Sequence, residues 1–311
     1  MAGGAPIEHE ARGRVFCSDL SRARGEPLAG TASRVDHWIL VEYRGPWDRD
    51  VVSGNLLSSE LKEHLREHLA LLPNARLLFV RKPEYRVRPG RKAFLCSSAP
   101  GAERVVALEL EQADDLRGID LAGVLESGEG GSPVPSLYAV CTHGKRDACC
   151  ARYGRPLYDA LRDVVDPEVV WQCTHVGGDR FAGNVVVLPD GLYYGRVAPD
   201  DAAGVVRALG ERRLDLVRYR GRSRYSFAVQ SAEHWIRQRT GLTGIDDLEL
   251  VGSSRDAEGA TVARFRTPAS EIHEVVVGVG LAGEPAQLTC NSSEPRRARR
   301  CVERAYRVLN G

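Results

Sequence analysis

No stretch of 18 or more consecutive apolar residues occurs in the chain, and the opening MAGGAPIEHEARGR lacks the apolar h-region of a secretory leader. Those absences predict an untargeted cytoplasmic protein with no membrane partner. Net charge is also missing: 43 Lys plus Arg face 42 Asp plus Glu, a formal +1, so no global field recruits nucleic acid or anionic lipid. There is no internal repeat of fixed period and no Cys-x-x-Cys pair of the kind that opens a thiol oxidoreductase helix. The run HLREH places His64 and His68 at i,i+4, yet Glu67 is in the wrong place for the metalloprotease pattern.

What is present is an ordinary globular chain. Its 311 residues are 43% hydrophobic and 27% charged, enough for a sizeable core. A prior of ~100 to 200 residues per domain suggests two units, with or without an appendage, and also allows a single domain. HWILVEY (37–43) reads as a strand and LLSSELKEHLREHLALL as an amphipathic helix capped by Ser58 or Ser59. RLLFV, AFLC and RVVALEL add strands, and the loop ESGEGGSPVPS (126–136) marks a boundary. Beyond it come the strand SLYAV, a polar loop, the helix CCARYGRPLYDALRDVV with Pro156 near its start, the strand VVWQCTH and a Pro-Asp-Gly hairpin. A helix follows in PDDAAGVVRALGERR. Strand, helix, strand, loop, hairpin, helix is the element order of a thioredoxin-like half. The remainder is read as an α+β extension, with a helix near SAEHWIRQRTG, three strands and a terminal helix in RRARRCVERAYRVLN. The arginine-rich RYRGRSRYS (218–226) and EPRRARR (294–300) are read as solvated faces.

Eight cysteines stand at 17, 96, 141, 149, 150, 173, 290 and 301, without the regular spacing of a secreted disulfide scaffold. Four of them fall between Cys141 and Cys173, with His143 and His175 in or beside that span, which points to metal or redox chemistry. Two stretches matter: CTHGKRDACC, from Cys141 to Cys150, and HVGGD, from His175 to Asp179. Soft thiolates suit iron–sulfur iron, and imidazole replaces thiolate on one iron in some clusters. Gly177 and Gly178 allow the backbone to turn so that His175 and Asp179 face one point. Lys145, Arg146 and Arg180 place positive charge around such a site, able to offset sulfur charge, or stand as solvated loop cations. Cys17, Cys96, Cys290 and Cys301 have no partner spacing and are read as core or surface thiols. His37, His64, His68 and His234 are assigned no ligation.

CTHGKRDACCARYGRPLY and HVGGDRFAGNVVVLPDGLYYGRV resemble the sucrase/ferredoxin-like family of thioredoxin-like ferredoxins, and FCSDLSRARGEPLAGTA and GPWDRD resemble its opening motifs. The resemblance implies an α/β fold with a thioredoxin-like ferredoxin domain (131–224); element order alone reads the preceding α/β domain (1–130) as a degenerate thioredoxin-like unit, and the residues after the ferredoxin domain as the α+β extension (225–311). It further implies a [2Fe–2S] cluster with cysteine ligands from the first motif and histidine-type ligands from the second. The first maps to Cys141 and the second to Cys150 within CARYG, with Cys149 as its alternative. His175 is the third. Many members end the second motif in His, whereas this chain has Asp179, either the fourth ligand or a hydrogen-bond partner fixing the His175 ring, with His143 and Cys173 as substitutes.

Electron transfer with an unidentified redox protein as donor or acceptor is the leading function, with no nucleic acid or membrane partner. A thiol-based redox enzyme using Cys149 and Cys150 is one alternative, and a structural zinc scaffold built on the same ligands is another. Glycoside hydrolysis, which the family's name suggests, finds no acid and nucleophile carboxylate pair.

Overall fold

The structure, a computed structural model, describes residues 15–51, 54, 56–85 and 87–309. In chain order the elements are α1 (Cys17–Ala23), β1 (His37–Glu42), α2 (Ser59–Leu71), β2 (Ala75–Arg81), β3 (Arg91–Ser97), β4 (Arg104–Leu110), α3 (Leu121–Ser127) and β5 (Ser132–Pro133). They continue with β6 (Leu137–Cys141), α4 (Ala148–Arg162), β7 (Val170–Cys173), β8 (Val185–Leu188), β9 (Leu192–Tyr194), α5 (Ala202–Gly210), β10 (Tyr219–Arg222) and α6 (Phe227–Thr240). The last four are β11 (Glu249–Arg255), β12 (Thr261–Arg266), β13 (Ile272–Ala286) and β14 (Arg296–Leu309). The chain is α/β. Among the described residues no helix is long and apolar enough to cross a membrane.

Ten strands form one sheet in the order β10-β9-β8-β6-β7-β2-β1-β3-β4-β5. Within it a single connectivity occurs twice. β1 and β2 are parallel neighbours joined through α2, β3 pairs antiparallel with β1, and β4 pairs antiparallel with β3. β6 and β7 are parallel neighbours joined through α4, β8 pairs antiparallel with β6, and β9 pairs antiparallel with β8. The two units meet where β2 and β7 pair antiparallel, Val80 opposite Cys173 and Arg81 opposite Gln172. The sheet therefore runs across residue 130 without a break. No sequence period betrays the repeat, because what recurs is the order of elements and not their residues.

Strand alternation sends Trp38 and Leu40 into a core shared by both units, while Ile39 and Val41 pack with Leu61 and Leu65 of α2. In the second unit Tyr138 and Val140 pack with Leu157, Tyr158 and Leu161 of α4, and Ala139 and Cys141 enter the shared core. Ser58 caps α2, its Oγ accepting from Leu61 N at 3.2 Å. α4 starts at Ala148 behind its cap Asp147, so Pro156 falls mid-helix and not near the start. One i→i−4 bond is lost there, and the buried Leu157, Tyr158 and Leu161 hold the helix across the gap.

β11–β14 make a separate antiparallel sheet against which α6 packs through Ala228, Val229, Ala232 and Ile236. The predicted terminal helix is strand β14. Arg, Ala and Glu favour a helix locally, but Cys301, Glu303 and Ala305 alternate in burial with exposed neighbours, and pairing along β13 decides the outcome. The connection between β13 and β14 reaches back to the N-terminus of α4, where Thr289 and Cys290 touch Asp147.

Candidate metal centre

Three elements deliver three donors to one point. Cys141 ends β6, Cys150 is the third residue of α4, and His175 follows β7; one ligand atom from each lies within 4.8 Å of the other two. Cys150 Sγ is 3.6 Å from His175 Nδ1, and both thiols are fully buried. α4 can approach so closely because residue 154 is glycine: a Cβ there would stand 2.0 Å from the Cys141 carbonyl oxygen. On the other side, Cys141 N donates to Asn184 O at 3.0 Å, fixing the strand end.

The His175 loop runs alongside β2. Thr174 N donates to Phe79 O, and Val176 O accepts from Arg76 Nη1 at 2.9 Å and from Ser33 Oγ at 3.0 Å. Gly177 and Gly178 then take φ of 94° and 78°, conformations that L side chains rarely adopt. A Cβ on Gly178 would also meet Arg220 Nη2 at 2.3 Å. The turn brings Asp179 Oδ1 to 3.0 Å from His175 Nε2, across the ring from Cys150.

Charge is distributed unevenly among these groups. Donation from Cys150 holds the Cys141 thiol well below the usual cysteine range against its burial, and His175 adds to the effect. Cys150 moves the opposite way, up, through the same contact with Cys141 and through burial. Burial opposes the His175 imidazolium, but hydrogen bonds to Asp179 and Cys141 prevail and lift it to about 9. Asp179, also resisted by burial, is held at about 2 by the His175 ring. Metal binding would displace protons from Cys150 and His175.

The substitute ligands lie elsewhere. The His143 ring sits edge-on to Trp47 with Nε2 2.8 Å from Asp48 O, and its buried Nδ1 has no hydrogen-bond partner among the described residues. Cys173 is opposite Cys141 in the β6–β7 register and lies in the shared core. Cys149 faces a different cluster from Cys150. Lys145 Nζ is 3.8 Å from Asp48, Arg180 Nε is 2.7 Å from Glu26, and the Arg146 carbonyl accepts from Asn291.

Sequence reasoning missed three features. RYRGRSRYS is no solvated face: Arg220 and Arg222 are fully buried in β10. Arg220 donates to Gly177 O at 3.1 Å, Asn184 Oδ1 at 2.8 Å and Thr31 O at 2.6 Å, so it holds the glycine loop and stands as the buried cation beside the site. Burial lowers it to about 10, against the charges of Tyr193, Cys141 and Asp179. Arg222 meets Ile245 O and the buried Glu233. Finally, Cys17 and Cys290 are not isolated thiols: with Cys149 and Asp147 they form a second group of donors within 4.8 Å of one another. Long-range folding brings them together, so no local spacing could reveal them, although Cys17 stands in the FCSDL stretch that carried a family resemblance.

Both groups have the donor chemistry to hold a metal ion. Residues 28–221 match the model of a family described as sucrase/ferredoxin-like. The chain is also similar to proteins named altered inheritance of mitochondria protein 32. That of Meyerozyma guilliermondii is 39% identical over 79 residues, 22% of this chain and 28% of the relative. That of Eremothecium gossypii is 31% identical over 101 residues, 28% of this chain and 32% of the relative. The matched stretch thus spans about a third or less of these curated relatives. No solved structure matches the chain significantly. With the family model covering well over half of its residues, this chain belongs to the sucrase/ferredoxin-like family.

Proposed function

We propose that the chain is an electron carrier whose thioredoxin-like ferredoxin unit holds a [2Fe–2S] cluster, with Cys141 and Cys150 as thiolate ligands and His175 and Asp179 as nitrogen and oxygen donors. The observation that carries this reading is the buried convergence of Cys141, Cys150 and His175 from a strand end, a helix start and a glycine loop. The donor set fits, since thiolate and imidazole are the ligands that iron–sulfur iron accepts. The donors also come as two adjacent pairs, the thiols of Cys141 and Cys150 and the His175–Asp179 contact at 3.0 Å. When bound, such a cluster takes up and releases one electron.

The chain's own residues bind, orient and exclude water. Gly154 admits the helix that carries Cys150, Arg220 fixes the His175 loop, and buried packing keeps solvent from the sulfurs. The position of Asp179 across the ring favours a second arrangement, in which it orients His175 and is not itself a ligand. Asp179→Ala and Asp179→Asn separate the two: loss of the chromophore in both assigns a ligand, whereas retention in the Asn variant with a shifted potential assigns an orienting group.

Electrons would pass to and from another redox protein. Arg81, Lys145 and Arg155 line a groove beside Trp47 and His143, a surface suited to an acidic partner. We place the protein in the reducing cytoplasm, in keeping with cysteines that lack the regular spacing of a secreted disulfide scaffold. The test is a visible and EPR spectrum of anaerobically purified protein before and after dithionite. A bleachable visible absorption with a reduced-state signal supports the reading, and colourless protein overturns it.

A further inference from the structure

Beside the site above, and independent of it, three sulfurs form a nearly equilateral triangle. Cys17 and Cys149 are 3.5 Å apart, Cys149 and Cys290 3.3 Å, and Cys290 and Cys17 3.6 Å. Their sequence separations are 132, 141 and 273 residues, so three remote segments converge. Tetrahedral zinc, with Zn–S bonds near 2.3 Å, sets its sulfurs about 3.8 Å apart, within half an ångström or so of these edges. A disulfide would join two of the thiols at about 2.05 Å and strand the third, so it does not account for the triangle.

Asp147 completes the set. It is fully buried, with its carboxylate oxygens 3.9 and 4.0 Å from Cys17 Sγ. The same carboxylate accepts from Cys149 N at 2.9 Å, Cys290 N at 2.7 Å and Thr289 Oγ1 at 2.8 Å, which ties two of the cysteine-bearing segments together. A carboxylate offers about four lone-pair sites, so one remains for a cation. Cys17 N donates to Cys290 Sγ at 3.4 Å and Ser18 Oγ to Cys149 Sγ at 3.1 Å, the outer hydrogen bonds that stabilise metal-bound thiolates.

The geometry points to a second metal site, a single tetrahedral divalent cation of the zinc class held by Cys17, Cys149 and Cys290 with Asp147 as the oxygen donor. Its place implies its role. It clamps α1 and the β13–β14 connection onto the N-terminus of α4, the helix end that also carries Cys150.

The test uses the full chain carrying Cys141→Ser and Cys150→Ser, which removes the other thiol pair, so failure here is separate from failure of the electron-carrier reading. Its zinc content should be about one per chain. Cobalt(II) added after chelation should give intense tetrahedral bands with thiolate charge transfer. Adding Cys17→Ser or Cys290→Ser should cut retained zinc at least about tenfold, while Cys301→Ser leaves it unchanged. Limited proteolysis after chelation should release the 289–295 segment first. Zinc retained after loss of Cys17 or Cys290, or cobalt spectra with weak, octahedral-type bands, would overturn the proposal. Far-UV circular dichroism of each variant, matched to that of the parent chain, guards against variants that fail to fold.

Discussion

Helices α2 and α4 hold corresponding places in the two halves of the long sheet, each crossing between parallel neighbours, yet their buried positions differ. The third and seventh residues of α2 are Leu61 and Leu65, both buried in core. In α4 the same places hold Cys150 and Gly154. The preceding strands end on Glu42 and on Cys141. Glu42 is answered by Arg44 Nε at 2.6 Å and Lys92 N at 2.8 Å, whereas Cys141 is answered by Cys150 and His175. One connectivity thus serves twice, closed with leucine in one half and opened by glycine for sulfur in the other. The two halves differ in which side chains occupy a few recurrent positions, not in their connectivity.

The strongest way to break that comparison is to exchange its terms. Under the proposed ligation, Cys150→Ser should reduce bound iron at least about tenfold with the fold retained, since it would remove a thiolate donor without opening a cavity. Leu61→Ala should do the reverse, costing about 2–5 kcal/mol in urea unfolding and leaving iron per folded chain unchanged. Next is Gly154→Ala. The added methyl meets the Cys141 carbonyl at 2.0 Å and must push α4 outward, so we expect a loss of about 1–3 kcal/mol together with reduced iron. Arg220→Met strands the carbonyls of Gly177 and Thr31 and should cost about 2–3 kcal/mol by thermal or chemical unfolding.

The smallest effect concerns Lys82, which follows β2 as the His175 loop follows β7. Lys82 is fully buried, with Nζ donating to Pro167 O and 3.6 Å from Glu168. Burial lowers its ammonium below the ordinary lysine value in spite of Glu168 and Glu84. Between that lowered value and 10.5 the unfolded chain binds more protons, so this group makes stability rise with pH across the window. Lys82→Met should stay within about 1 kcal/mol of the parent near neutrality and should remove that rise, as read from urea midpoints in a pH series ending below the ordinary lysine value.

Local patterns announced most of the sheet and its helices, because HWILVEY, RVVALEL and SLYAV carry their burial in their own composition. The convergence of Cys141, Cys150 and His175 was legible for the same reason: two short motifs flank one helix and one strand. Cys17 and Cys290 were not, since 273 residues separate them and only the fold brings them to Cys149. Arg220 read as a surface charge until its partners Thr31, Gly177 and Asn184 closed around it. β14 read as a helix because the partner that makes it a strand lies in β13. What the sequence conceals in each case is a long-range partner.

The most direct measurement is the iron and acid-labile sulfide content of anaerobically purified protein, set beside the Cys150→Ser variant. The account predicts about two irons and two sulfides per chain in the parent and near-zero values in the variant. Equal iron and sulfide in both, or none in either, would contradict it.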